Sequence, residues 1–314
     1  MKEIGFLFPG QGAQAVGMGQ DLYEKADTAH IIFDRANQLL SFQLSELCFH
    51  GPDSELTRTV NTQIAIFVTS IAALAALRTT YPQIKPAVAC GLSLGEFTAL
   101  VALDAISFED GLQLVRKRGE LMEEANRKDP GTMASIIGLS ISDCELVCQA
   151  AGAVIANLNS DDQVVISGSF EAIERACQMA EKRGAKRVIS LKVGGAFHSP
   201  LMKDAEAGLK EALRKVKIKQ PSGSFIPNVT GEITRDPETI RTLLGQQLTR
   251  PVQWLKTMEC VARNGFIDFL EIGPGRVLKG LAKRIDSKIN VHNIEKMSDI
   301  EQFKTTVMGP AHAS

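Results

Sequence analysis

The chain has 314 residues, 44% of them apolar and 23% charged, with a net charge of −1. These values describe an ordinary soluble globular protein, long enough for one large domain or two modest ones. A balanced charge with pI near 6.5 argues against nucleic acid as a partner.

The N-terminal run MKEIGFLF reaches Pro9 and Gly10 after five mostly apolar residues, too short for the core of a secretory signal. The longest apolar stretch, Ile64 to Leu77, is interrupted by Thr69 and Ser70. It falls short of the roughly 20 residues that span a bilayer, so it reads as a buried helix and no membrane is expected. The six cysteines are scattered without metal-ligand spacing, and Cys144 and Cys148 read as ordinary core or boundary thiols. A reducing, cytoplasmic compartment is expected.

Short β-rich runs alternate with helical patterns, which predicts an α/β fold with a largely parallel sheet. Ile4 to Phe8 is the first strand and Ala87 to Cys90 the second, the latter followed by a helical run through Leu103. Ser107, three residues before Asp110, predicts the start of a helix from Phe108 to about Asn126. The pattern then changes. Strands at Met133–Gly138, Ala153–Leu158, Gln163–Ser167 and Lys186–Val193 enclose helices at Ser142–Ala151, capped by Ser142, and at Phe170–Arg183. That βαββαβ order predicts a small ferredoxin-like domain, residues 130–194, inserted into a larger α/β domain made of 1–129 and 195–314. Beyond Pro200 come a helix, a strand near Phe225–Val229 and helices near 237–248 and 252–264. A strand at Phe266–Ile272, a helix after Gly275, a strand near Ile289–Ile294 and a last helix complete the chain.

Gly91-Leu92-Ser93-Leu94-Gly95 fits G-x-S-x-G between a predicted strand and helix. A serine on such a turn projects its hydroxyl above the sheet, where the helix dipole and the Leu94 N–H can serve a developing oxyanion. Of the five histidines, His30 sits in a polar helical run, His50 in a loop beside Gly51-Pro52, and His312 in the tail. His198 lies at a strand-to-helix junction, where α/β sheets build their sites, and is the candidate base. No acidic third member stands out, so an amide or a carbonyl is expected to orient it. Arg118 falls on the apolar stripe of Leu114, Val115, Leu121, Met122 and Ala125, while Arg116 and Lys117 face away. Two readings stay open: a structural ion pair with a buried acid, or a fork that grips a substrate carboxylate. Pro9-Gly10-Gln11-Gly12 is a tight turn that can offer a second oxyanion N–H at Gln11. Gly273-Pro274-Gly275 reads as structural only.

Taken together, FPGQGAQ at 8–14, GLSLGE at 91–96, RKRGELM at 116–122, GAFHSPLM at 195–202, QLTRPVQW at 247–254 and EIGPGRVL at 271–278 resemble the malonyl-CoA:acyl carrier protein transacylases and related polyketide acyltransferase domains. The resemblance implies a large α/β-hydrolase-like domain plus the small ferredoxin-like one. It makes Ser93 the nucleophile and His198 its base. Arg118 becomes the ligand of the malonyl carboxylate, Gln11 and Leu94 the oxyanion donors, and Gln247 the residue whose carbonyl orients His198. The family commonly carries histidine before the nucleophile, where this chain has Leu92. Phe197, in AFHS, accompanies malonyl selection among the polyketide relatives. The partners implied are malonyl-CoA and an acidic acyl carrier protein, with no metal or redox cofactor, and a monomer is expected. Two cationic runs are candidate docking sites: Lys210, Arg214, Lys215, Lys217 and Lys219, or Lys182, Arg183, Lys186 and Arg187. A serine hydrolase on the same elbow is the rival reading, with Arg118 weighing against it.

Overall fold

A computed structural model describes residues 3–307 of the chain. It opens with strand β1 (Ile4–Phe8), helices α1 (Gln20–Lys25), α2 (Asp27–Leu40), α3 (Leu44–His50), α4 (Asp53–Leu56) and α5 (Thr59–Thr80), then β2 (Pro86–Gly91), α6 (Gly95–Ala102) and α7 (Phe108–Lys128). A middle group follows, of β3 (Thr132–Ile137), α8 (Ile141–Ala151), β4 (Val154–Ser160), β5 (Gln163–Gly168), α9 (Phe170–Lys182) and β6 (Arg187–Ser190). The last third holds α10 (Lys203–Arg214), β7 (Ser224–Phe225), α11 (Pro237–Gln246), α12 (Trp254–Arg263), β8 (Asp268–Ile272), α13 (Val277–Ile285), β9 (Asn290–Ile294) and α14 (Met297–Val307).

The first and last groups build one sheet in the order β7-β2-β1-β8-β9, with every pair parallel. Parallel strands send all their carboxyl ends to one edge, so the loops after β1, β2, β7 and β8 meet there. Helix α5 is buried almost all round and packs between α2 and α7. It is long and apolar enough to cross a membrane, yet most of it lies inside the fold, as expected for a core helix. Helix α7 buries Leu114, Val115, Arg118 and Met122 and exposes Lys117. The Ser107 hydroxyl accepts the Asp110 N–H at 3.0 Å, capping α7 as the sequence predicts.

The middle group forms an antiparallel sheet in the order β4-β5-β3-β6. Ala134, Ile136, Val164 and Ile166 turn inward onto α8 and α9. By the period-2 alternation of a strand, Met133, Ser135, Gln163 and Val165 face the other way, into a cleft shared with the parallel sheet.

Several local expectations are corrected. Ser140, not Ser142, caps α8, its hydroxyl accepting the Asp143 N–H at 3.1 Å. His50 ends helix α3 instead of lying in a loop. Helices α1, α3 and α4 lie in a segment for which only the polar run around His30 suggested a helix. β6 and β7 are shorter than predicted, at four and two residues. His312 lies outside the described residues.

Candidate active site

The turn after β2 is held by close backbone approach. A Cβ on Gly91 would sit 2.2 Å from the Gly95 carbonyl carbon, and one on Gly95 would sit 2.2 Å from the Phe8 oxygen. Only glycine fits at either position. Between them Ser93 is forced to φ 52°, the left-handed region that costs a non-glycine residue roughly 1–3 kcal/mol. Asn228, in the loop after β7, braces this strained turn. Its Oδ1 accepts the Ser93 N–H at 2.6 Å, and its Nδ2 donates to the Gly91 carbonyl at 2.8 Å. Leu92 lines the cleft and packs against apolar neighbours, so the bonding of the elbow comes from Asn228.

Three of the predicted residues converge on one oxygen. His198 Nε2 lies 2.8 Å from Ser93 Oγ, and an Arg118 terminal N–H donates to the same oxygen at 2.7 Å. His198 is itself left-handed, at φ 56°. Its Nδ1 faces two backbone carbonyls, Gln247 O at 2.8 Å and Arg250 O at 3.2 Å. Two acceptors there require the proton on Nδ1, which leaves Nε2 as the acceptor for the serine hydroxyl. Among the described residues no carboxylate is hydrogen-bonded to the imidazole. Burial, and then the Arg118 cation, push His198 down to about 4.

Arg118 is fully buried. Its Nε–H donates to Gln247 Oε1 at 3.0 Å, one terminal nitrogen donates to Gln63 Oε1, and the guanidinium lies over the Phe97 ring at 5.9 Å. Burial lowers its pKa to about 10, so the group is a cation at neutral pH. Among the described residues it forms no direct ion pair with an acid. The buried carboxyl of Glu96 reaches it only through the Gln247 side chain, whose amino group donates to Glu96 Oε2. Of the two readings of Arg118, the direct buried ion pair is therefore absent, and its neutral partners leave the charge uncancelled at the serine.

Gln11 lines the cleft, with its side-chain oxygen accepting from Gln63 Nε2 at 3.1 Å. Among the described residues neither the Gln11 nor the Leu94 backbone N–H donates to a protein acceptor. Both are thus available to a bound oxyanion. Across the cleft, Ser135 Oγ and Asn159 Oδ1 are buried without a hydrogen-bond partner. No residue of either cationic run is among those lining the cleft at Ser93. In one, Lys210 pairs with Glu206 and Arg214 with Glu211. In the other, Arg183 pairs with Asp143. Sequence reasoning missed Glu96, Asn228 and Gln63. The signal for Asn228 was its place just beyond a strand at the catalytic edge.

The buried imidazole carries a direct expectation. A histidine with depressed basicity stays neutral as pH falls through the ordinary histidine range of about 6.5. In an NMR titration the His198 Cε1–H shift should stay flat between about pH 8 and pH 5 and move only near 4. A midpoint at the ordinary value would mean a hydrated ring outside the influence of Arg118.

The sequence matches the acyl transferase domain family over residues 5–303. It is 41% identical over 309 residues to the malonyl CoA-acyl carrier protein transacylase of Bacillus subtilis, covering 96% of each chain. It is 38% identical to the Haemophilus influenzae transacylase, covering 96% of this chain and 99% of that one. The fold superimposes on the crystal structure of the acyl-carrier-protein S-malonyltransferase from Bartonella henselae with TM-score 0.93 and 37% identity, covering 98% and 100% of the two chains. It also superimposes on a malonyl-transacylase solved in complex with its type II PKS acyl-carrier protein, with TM-score 0.92 and 35% identity over 98% and 100%. With an elbow serine, a carbonyl-oriented histidine and a buried arginine meeting at one oxygen, and with full-length relatives of one kind, the chain belongs to the malonyl CoA-acyl carrier protein transacylases.

Proposed function

We propose that the chain moves a malonyl group from malonyl-CoA to the phosphopantetheine thiol of an acyl carrier protein, through an ester on Ser93. The observation that carries this reading is the convergence of His198 Nε2 and the Arg118 guanidinium on Ser93 Oγ at 2.8 and 2.7 Å. Oγ attacks the thioester carbonyl while its proton passes to His198 Nε2. The C–S bond breaks, and the CoA sulfur leaves with that proton. In the second half the carrier thiol gives its proton to His198, its sulfur attacks the ester carbonyl, and Ser93 Oγ leaves and recovers the proton. The Gln11 and Leu94 N–H groups hold the oxyanion in both halves. Arg118 grips the free malonyl carboxylate, Gln247 and Arg250 carbonyls aim the imidazole, and the cycle calls for no metal or redox cofactor.

Ser135 and Asn159 suit the amides of the pantetheine arm that both substrates share. For the carrier protein we favour the run containing Lys186 and Arg187. It leads through β6 into Leu191 and Val193, which line the cleft, and among the described residues neither Lys186 nor Arg187 forms an ion pair with an acid. Lys210 and Arg214 are already neutralised. The separate core behind the antiparallel sheet supports an inserted ferredoxin-like domain, residues 130–194, in a hydrolase-like domain of 1–129 and 195–314. The enzyme works as a cytoplasmic monomer.

Exposing the protein to malonyl-CoA and mapping adducts by mass spectrometry tests the chemistry. One malonyl ester on Ser93 is expected, and Ser93→Ala should carry none; an adduct elsewhere in that variant overturns the assignment. Arg118→Ala removes charge-assisted hydrogen bonds of about 1.5–3 kcal/mol net. Malonyl kcat/KM should then fall by about ten- to a hundredfold, while acetyl-CoA, with no carboxylate to lose, falls far less. For docking, Lys186→Glu with Arg187→Glu should raise KM for the carrier protein and leave loading from malonyl-CoA unchanged. Unaltered carrier kinetics at low salt dispose of that surface.

A further inference from the structure

Glu96 is buried at 1% exposure on the first turn of α6, and the proposed cycle gives it no step. Its two oxygens serve two different neighbours. Oε1 accepts the backbone N–H of Asn228 at 2.8 Å, the residue that braces the elbow. Oε2 accepts the amino group of Gln247, which also reaches the Ser93 carbonyl at 3.0 Å. With that amino group claimed by two acceptors, Gln247 can present only its oxygen to Arg118, where it receives the Nε–H at 3.0 Å.

We propose that Glu96 is a positioning residue for substrate selection: by fixing the Gln247 amide, it holds Arg118 poised for the substrate carboxylate while keeping its own charge one side chain away. Two constraints compete around a buried guanidinium. Left with no negative charge nearby, it is costly to bury. Given a carboxylate in direct contact, its donor fork is filled by the protein and closed to the substrate. An amide interposed between acid and arginine meets both. The cation is stabilised through space and through a hydrogen-bond chain, and the terminal nitrogens stay turned toward Gln63 and Ser93. Burial pushes Glu96 up to about 7, and the hydrogen bonds from Gln247 and Asn228 and the Arg118 cation oppose that rise, as does the positive end of the helix dipole at the start of α6.

This inference rests on the reading of Arg118 as the carboxylate ligand, and the experiment separates the two. Loading of Ser93 by malonyl-CoA and by acetyl-CoA is measured as kcat and KM for the unaltered chain, Glu96→Gln, Glu96→Asp and Arg118→Ala, with melting curves for each. Glu96→Gln keeps the shape but turns one acceptor into a donor facing the Gln247 amino group, so that amide rotates and withdraws its oxygen from Arg118. Malonyl kcat/KM should fall by about ten- to a hundredfold, chiefly through KM, while acetyl loading stays within about threefold. Equal loss for the two substrates, or an unchanged malonyl KM, overturns the proposal. If Glu96→Gln does not fold, Glu96→Asp, which keeps the charge but shortens the reach, must lower the malonyl-to-acetyl ratio, and an unchanged ratio overturns it. Arg118→Ala that loses both substrates equally refutes the carboxylate reading itself. Selective loss in Arg118→Ala without selective loss in the Glu96 variants refutes the Glu96 inference alone.

Discussion

A guanidinium buried without a carboxylate against it is the constraint around which this site is organised. Arg118 is fully enclosed, and its hydrogen-bond partners are two side-chain amides and a hydroxyl. Each amide must present its oxygen to the arginine, so each needs acceptors for its amino group elsewhere. Gln63 passes its amino group to Gln11, and Gln247 passes its own to Glu96 and the Ser93 carbonyl. Two chains of hydrogen bonds therefore radiate from the cation, one toward the turn after β1 and one toward the elbow after β2. Networks of this kind are stable only when every member is satisfied, which couples the buried cation to both candidate oxyanion loops.

The second organising element is strain. Ser93 and His198 both occupy left-handed backbone, in a sheet edge where three glycine-bearing turns crowd together. Such conformations persist only where the surroundings over-determine them. Asn228 does this for the serine by bonding both sides of the elbow. For the histidine, the two carbonyls of Gln247 and Arg250 hold the ring from behind. The parallel sheet brings β2 and β7 side by side, which is why residues 135 positions apart in the chain can share this work.

Much of this was legible in the sequence, for identifiable reasons. The G-x-S-x-G turn is read easily because the steric demand falls on glycine. His198 and Arg118 stood out against context, one as a histidine at a strand-to-helix junction and the other as a charge on an apolar stripe. The absence of a third acid turned attention to an amide or a carbonyl for the histidine, and the structure has two carbonyls there. Gln63, Glu96 and Asn228 escaped because their roles depend on partners distant in sequence, and nothing local distinguishes a buried amide from an exposed one. Helices α1, α3 and α4 were missed because they are short, at six, seven and four residues, so tertiary packing decides them. The cap of α8 slipped by two residues because Ser140 and Ser142 offer the same chemistry and only the local backbone chooses between them.

Orienting the imidazole with peptide carbonyls instead of a carboxylate bears on the fate of the acyl ester. A carboxylate partner would stabilise the protonated ring and strengthen it as a base. Here the ring is dry, faces neutral dipoles and has a cation nearby, so it binds a proton weakly. Such a base is adequate for a thiol, whose ordinary pKa is about 8.5, but is poorly matched to water, at about 15.7. The Ser93 hydroxyl, as weak an acid by itself, differs in having the Arg118 cation bonded to its oxygen. An ester held at this serine would thus discriminate between incoming nucleophiles by acidity as well as by shape. Its lifetime against solvent would be set by the weakness of the base, which makes modest basicity a means of guarding the intermediate until a sulfur arrives.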